Sequence, residues 1–362
     1  VKYMNVLYVG AESANWIINL CNEICKLGHT VTVVVQQLDE YDKDNPMKEH
    51  KNMGRVNLPF KTFIHPRLLQ EQLEKILKKE KFDFIFGSHA PVCPAVVLIG
   101  KKYKIPTGIM LLDIPTDAIR LQEFRQIQWQ YWFPFLKKAD LMITNTHIAR
   151  DEFAKYTGIM LPDKNVITYA INTDSKYDKI GIDIKGDYVI SVCRLHPNKN
   201  CTIIPRALSL LDNNLKYVAI GRDSGDLNPV KEYCKECNIG FEHYPMVSEE
   251  KKFELIKNST ALIYPQKTPF IGGLSPYEAM YIGKPTIVPE LKVLTDLYEN
   301  HAFYFKNNDI YDLANMIAVI HDYKRKVLKP RLIAANNHAK TEATFEVMAK
   351  KLTERMQEVV RQ

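Results

Sequence analysis

Val6-Leu7-Tyr8-Val9 is a short, continuous apolar run that stops at Gly10. Trp16, Ile17, Leu20, Ile24 and Leu27 then recur at helical spacing, Gly28 closes the helix, and a second apolar run extends from Val31 to Val35. An unbroken apolar run of this length reads as a strand buried on both faces, and a glycine just past a helical period is a stop signal. Strand, tight glycine turn, helix and strand make one βαβ unit.

The same alternation continues outward. Phe82–Phe86, Gly108–Leu112 and Leu141–Thr144 read as strands, with helices over Ala95–Tyr103 and Leu121–Leu136. After a polar interruption over Lys176–Gly186, the rhythm restarts. Strands are expected at Tyr188–Val192, Lys216–Ile220, Ala261–Tyr264 and Thr286–Val288, with helices at Thr202–Leu211, Val230–Cys237, Glu249–Ile256 and Pro276–Ile282. Strands alternating with helices imply parallel sheets covered on both faces. Two such runs imply an α/β protein of two doubly wound domains, 1–175 and 176–338, followed by a C-terminal helical segment, 339–362. Ligands of such sheets bind beyond the carboxyl ends of the strands, so the expected site is a cleft between the domains.

Composition agrees. At ~150 residues per domain, 362 residues suit two domains. Hydrophobic residues make up 46% and charged residues 25%, which excludes disordered and fibrous classes. The net charge of +7 is spread evenly, with 22 basic and 19 acidic side chains before residue 176 and 27 and 23 after it. That balance excludes the electrostatic footprint of a nucleic-acid binder but leaves room for an anionic small molecule or membrane surface. Seven scattered cysteines, several inside apolar runs, suggest reduced, buried thiols. With no long apolar span and no leader-like opening, a cytoplasmic protein is expected.

Chemistry concentrates in the second half. Cys193-Arg194-Leu195-His196-Pro197-Asn198-Lys199-Asn200 puts two cations at the carboxyl end of a strand. Arginine can fork onto phosphate oxygens and lysine adds a compact charge, although a solvated turn would look the same. Further on, Phe270-Ile271-Gly272-Gly273-Leu274-Ser275-Pro276-Tyr277-Glu278-Ala279-Met280 opens a helix with paired glycines and sets Glu278 in its first turns. Backbone N–H groups there could approach a phosphate, and Glu278 could accept ribose hydroxyls. The plain alternative is a capped turn with a structural glutamate.

Together these segments, with Gly283-Lys284-Pro285, resemble the retaining glycosyltransferases of family 4, which have the GT-B fold. LGHTVTV at 27–33 and AINTD at 170–174 are similar to other stretches of that family. The resemblance implies that Arg194 and Lys199 hold a donor diphosphate and that Glu278 binds the ribose. It also implies that Gly272, Gly273 and Leu274 face the donor, with Gly10 allowing close approach from the first domain. No metal or other cofactor is implied, because protein cations stabilise the leaving group. The implied partners are a nucleotide sugar, of UDP-glucose or GDP-mannose type, and a glycan or glycolipid acceptor. Residues 345–360 are implied to cross back onto the first domain.

Three positions depart from the family pattern. Phe270 stands where a sugar-side glutamate is usual, Leu112 where the first-domain histidine is usual, and Cys193 where a glycine is usual. His89 and Asp113, both at strand ends, are the candidates for catalysis or for contact with the donor sugar. The rival readings are a nucleotide-sugar epimerase of the same architecture and a degenerate, non-catalytic nucleotide-sugar binder. Cys234-x-x-Cys237 lacks a second ligand pair and reads as two helical thiols. Asp42-Lys43-Asp44 reads as a charged loop. The aromatic stretch Gln128–Lys138 is expected to be helix core, with peripheral membrane contact as its alternative.

Overall fold

The computed structural model describes residues 3–10, 14–36, 48–59, 66–111, 123–173, 186–212, 214–268, 273–322 and 325–362. The chain divides into two compact units, one of Val1–Asn172 with Phe345–Gln362, the other of Thr173–Thr344.

The first unit contains β1 (Asn5–Val9), β2 (Thr30–Gln36), β3 (Met53–Leu58), β4 (Phe84–Ser88), β5 (Thr107–Met110) and β6 (Leu141–Ile143). They form one sheet in the order β3-β2-β1-β4-β5-β6, and every pairing is parallel. Its helices are α1 (Ala14–Lys26), α2 (Pro66–Leu77), α3 (Cys93–Tyr103), α4 (Glu123–Leu136), α5 (His147–Thr157) and, at the end of the chain, α13 (Phe345–Val360). Val6 to Val9 are completely buried, which is why that run is apolar without alternation. Tyr8 stands level with Val33 on one side and Phe86 on the other. His29 is buried at the start of β2, and its Nδ1 accepts the Met4 N–H at 3.1 Å. Trp16 and Phe345 meet with ring centroids 5.6 Å apart, and Arg355 Nε donates to Asn165 Oδ1 at 2.9 Å, so α13 is built into this unit.

The second unit has β7 (Tyr188–Val192), β8 (Lys216–Ile220), β9 (Phe241–Tyr244), β10 (Ala261–Ile263), β11 (Thr286–Pro289) and β12 (Phe303–Phe305). The order is β12-β11-β10-β7-β8-β9, again wholly parallel. Its helices are α6 (Ile203–Leu208), α7 (Leu227–Glu236), α8 (Glu249–Asn258), α9 (Ser275–Tyr281), α10 (Lys292–Tyr298), α11 (Ile310–Asp322) and α12 (Arg325–Glu342). Val189, Ile204, Tyr217, Ile263, Ile287 and Ile317 lie in its core. Residues 339–344 stay with this unit, and the chain returns to the first unit at Phe345.

Three strands escaped the sequence reading, and all three are edges: β3, β9 and β12. β9 is Phe-Glu-His-Tyr with no fully buried residue, and β3 is Met-Gly-Arg-Val-Asn-Leu with only its end residues buried. An edge strand has a neighbour on one side only and tolerates polar residues, so β3 and β9 lack the apolar run that marks a central strand. β12 is Phe-Tyr-Phe and buried at both ends; at three residues it is too short to stand out as a run. In the aromatic helix α4, Trp129 and Trp132 are buried while Ile127 and Tyr131 are exposed. Among the described residues, no helix is long and apolar enough to cross a membrane.

Candidate functional site

Each sheet has a switch point where successive connections leave in opposite directions, and the loops there splay apart to leave a crevice. In the first unit it lies between β1 and β4, and in the second between β7 and β10. The sequence-selected residues Gly10 and His89 follow β1 and β4, whereas Arg194 and Lys199 follow β7.

The segment after β7 is held firmly. Leu195 is buried, donates its N–H to Arg222 O at 2.9 Å and bridges to Asp223. That anchor leaves the neighbouring Arg194 exposed, and among the described residues its guanidinium has no hydrogen-bond or ion-pair partner. His196 caps the short turn Pro197–Lys199, its Nδ1 accepting the Asn198 N–H. The Lys199 ammonium donates to Tyr264 Oη at 2.6 Å and to Gln266 Oε1 at 2.8 Å. Both acceptors follow β10, the neighbour of β7, and Lys267 N donates to Asn198 O at 3.0 Å, joining the two loops. An ammonium has three N–H groups, so one remains for a ligand. Burial pushes the Tyr264 hydroxyl above its ordinary range, against the pull of Lys199.

Cys193 and Cys201 bracket this turn with their sulfurs 3.6 Å apart. The hydrogen bond from Cys201 pulls the Cys193 thiol down against its burial, with Lys199 and Arg194 adding to the effect. Cys201 is pushed well up by the same pairing and by burial.

Beyond β10, Phe270 and Gly272 lie outside the described residues. A Cβ on Gly273 would fall 2.6 Å from Cζ and Oη of Tyr264, so glycine is required there by the packed ring. Its carbonyl accepts from Tyr298 Oη at 2.6 Å. Leu274 precedes the first turn of α9, and Ser275 is buried with an Oγ that has no partner among the described residues. A buried hydroxyl without a partner costs about 1–3 kcal/mol, which a bound polar ligand would recover. Glu278 is buried and accepts from Lys252 Nζ at 2.7 Å, while Glu249 takes the same ammonium at 2.9 Å. The lysine of the Gly-Lys-Pro motif, Lys284, is buried and donates to Ser259 O at 2.6 Å, a structural tie.

On the first unit, Gly10 donates to Val34 O at 2.9 Å, and a Cβ there would fall 2.1 Å from Ile17 Cδ1. Its close approach is therefore to helix α1. His89 adopts φ 80°, ψ 145°, a backbone conformation that costs a non-glycine residue about 1–3 kcal/mol. Its N–H extends the sheet by bonding Met110 O at 2.7 Å. Leu112 and Asp113 lie outside the described residues, as does Asp42-Lys43-Asp44. Cys234 is buried inside α7 with its thiol pushed up to about 12 by desolvation, and Cys237 is at the helix end, as two helical thiols would be.

Sequence reasoning missed Tyr264, Gln266, Lys252 and Tyr298. Their roles come from contacts across strands and helices, and no local spacing marks them.

Two family descriptions match the chain: "Glycosyltransferase Family 4" over residues 13–175 and "Glycosyl transferases group 1" over residues 172–332. No curated protein matches it in sequence. Among solved structures it is similar to HepE of Anabaena in complex with UDP and glucose, at 17% identity and TM-score 0.76, covering 98% of this chain and 100% of that one. It is also similar to a glycosyltransferase of Rickettsia africae, at 16% identity and TM-score 0.76, with both chains covered completely. Sucrose-phosphate synthase of Thermosynechococcus elongatus matches at 13% identity and TM-score 0.77, over 99% of each chain. With two parallel six-stranded sheets and both family descriptions spanning residues 13–332, the chain belongs to the family 4 type glycosyltransferases of GT-B fold.

Proposed function

We propose that the protein transfers a hexose from a nucleoside diphosphate sugar to an acceptor hydroxyl, with retention of configuration and without a metal ion. The observation that carries this reading is the pair Arg194 and Lys199 at the second-unit switch point, with the guanidinium free among the described residues. The resemblance to HepE structures with UDP, and with UDP and glucose, supports the donor class.

The chemistry follows from charge. The acceptor oxygen forms a bond to the anomeric carbon on the face that the diphosphate leaves, as the carbon–oxygen bond to phosphate breaks. The acceptor proton passes to a departing phosphate oxygen, so no protein nucleophile is required. Arg194 and the third N–H of Lys199 stabilise the charge that develops on the diphosphate. Glu278 offers the oxygen not held by Lys252 to the ribose hydroxyls. Gly10, Gly272, Gly273 and Leu274 present backbone to the donor, and His89 and Asp113 serve the sugar and the acceptor. UDP-glucose and GDP-mannose are the leading donors, and a glycan or glycolipid is the acceptor class. The enzyme is read as cytoplasmic. With a lipid-linked acceptor, the exposed Ile127 and Tyr131 would meet the membrane surface.

The test is calorimetric titration with UDP, GDP, ADP and their hexose derivatives, then incubation of the tightest binder with and without glycan and lipid acceptors. Tight binding of one nucleotide with transfer of its sugar is expected. A new sugar epimer without acceptor would favour an epimerase, and failure to bind every nucleotide would refute the diphosphate assignment.

A further inference from the structure

Away from the switch point, the second unit brings together a group that the reaction does not use. A carboxylate oxygen of Glu299 and one ring nitrogen each of His301 and His338 all lie within 4.8 Å of one another. Glu299 and His301 sit between α10 and β12, whereas His338 comes from α12, so the group joins segments distant in sequence.

The side chains are close but not yet in ligating geometry. The imidazoles of His301 and His338 stack with centroids 4.3 Å apart, so one ring has to turn for both in-plane lone pairs to meet a single ion, and His338 also stacks on Tyr277 at 5.8 Å. His338 Nε2 contacts Leu297 O at 3.3 Å, the kind of carbonyl contact that orients metal-bearing histidines. The loop backbone is pinned by His301 N to Tyr298 O at 2.9 Å and by Tyr304 Oη to Glu299 O at 2.6 Å. Arg331 is the opposing charge nearby; its guanidinium is committed to Ala302 O at 2.5 Å and to the Phe303 ring. The Glu299 carboxylate offsets it. Two histidines and one carboxylate form a donor set suited to zinc-like divalent cations.

We propose that Glu299, His301 and His338 form a binding site for a zinc-class divalent cation that ties the α10–β12 connection to α12. The site has a path to the glycine turn. Tyr277 Oη donates to Leu297 O, and Tyr298, adjoining Glu299, bonds Gly273 O. A cation here would stiffen the support of that turn without touching the donor.

The experiment uses the full chain, stripped with chelator and titrated calorimetrically with Zn²⁺ and, for its visible spectrum, Co²⁺. One equivalent of Zn²⁺ is expected to bind and to raise the melting temperature. Loss of an outer-shell partner costs about 10–100-fold in affinity, so His301→Ala and His338→Ala should each weaken binding by at least about 100-fold. Exposed Glu299→Gln keeps the shape and should weaken binding while leaving the metal-free melting temperature unchanged. The Co²⁺ form should show d–d bands without the sulfur charge-transfer bands of cysteine ligation. No Zn²⁺ binding by the parent chain, undiminished binding in both histidine variants, or sulfur bands would each overturn the site. Because the readouts are metal affinity and melting, they remain decisive even if the transferase reading fails.

Discussion

Lys252 Nζ lies 2.7 Å from Glu278 Oε1, and both side chains are buried, at 12% and 9% exposure. Burial pushes the Glu278 carboxyl up, and Lys252 pulls it back. Burial works to lower the Lys252 ammonium, but Glu278 and Glu249 override it and hold it above its ordinary range. A glutamate that the sequence offers only as a ribose acceptor is thus half of a buried ion pair.

Lys252→Met should therefore be costly, because it leaves Glu278 buried without its main counter-charge. A loss of about 3–5 kcal/mol is expected by urea denaturation. Adding Glu278→Leu should restore most of it. A single variant as stable as the parent would refute the pairing.

Arg194→Ala removes an exposed cation and should leave the unfolding free energy unchanged. Nucleoside diphosphate binding should weaken by ~1.5–3 kcal/mol, the worth of a charged hydrogen bond. Calorimetry with the diphosphate and the bare nucleoside separates the effects, since the nucleoside should bind both proteins alike. Asp113→Asn, by contrast, should lower turnover more than nucleotide affinity.

Gly273→Ala puts a methyl group 2.6 Å from a Tyr264 ring that Lys199 and Gln266 hold in place. The ring has to move, at about 1–3 kcal/mol of stability. Donor affinity should fall with it, because the displaced Tyr264 releases Lys199. A variant with parent-like stability and donor affinity would show that the turn adapts.

His89→Gly removes a side chain from a backbone conformation that only glycine adopts freely. Stability should be unchanged or higher by about 1 kcal/mol as that strain is relieved. If His89 serves the acceptor or sugar, turnover should drop sharply in the same protein. Lower stability with full activity would assign the histidine a structural role.

His29 should contribute to acid sensitivity. Burial holds its imidazole below the ordinary 6.5, and its Nδ1 must be unprotonated to accept the Met4 N–H. The unfolded chain therefore binds the proton more readily, so this contribution is fully present above pH 6.5 and is lost as pH falls through the lower folded pKa. The expected signature is a stability-versus-pH slope between those limits that His29→Asn removes. An unaltered slope would place the acid-sensitive group elsewhere.

The sequence by itself determined the fold class, the restart of the βαβ rhythm near residue 186, and the placement of Gly10, His89, Arg194 and Lys199 at strand ends. Those features are local, since a strand enclosed on both sides must be apolar throughout and a helix on a sheet must repeat its apolar residues. The tertiary structure decided the edge strands: exposure erases that pattern in β3 and β9, and β12 has too few residues to show it. It also decided the partners: Tyr264 and Gln266 for Lys199 across the β7–β10 pairing, Lys252 for Glu278 between α8 and α9, and His338 for His301. Each pairing depends on which elements the sheet order makes neighbours, and that order is set by burial of the whole core.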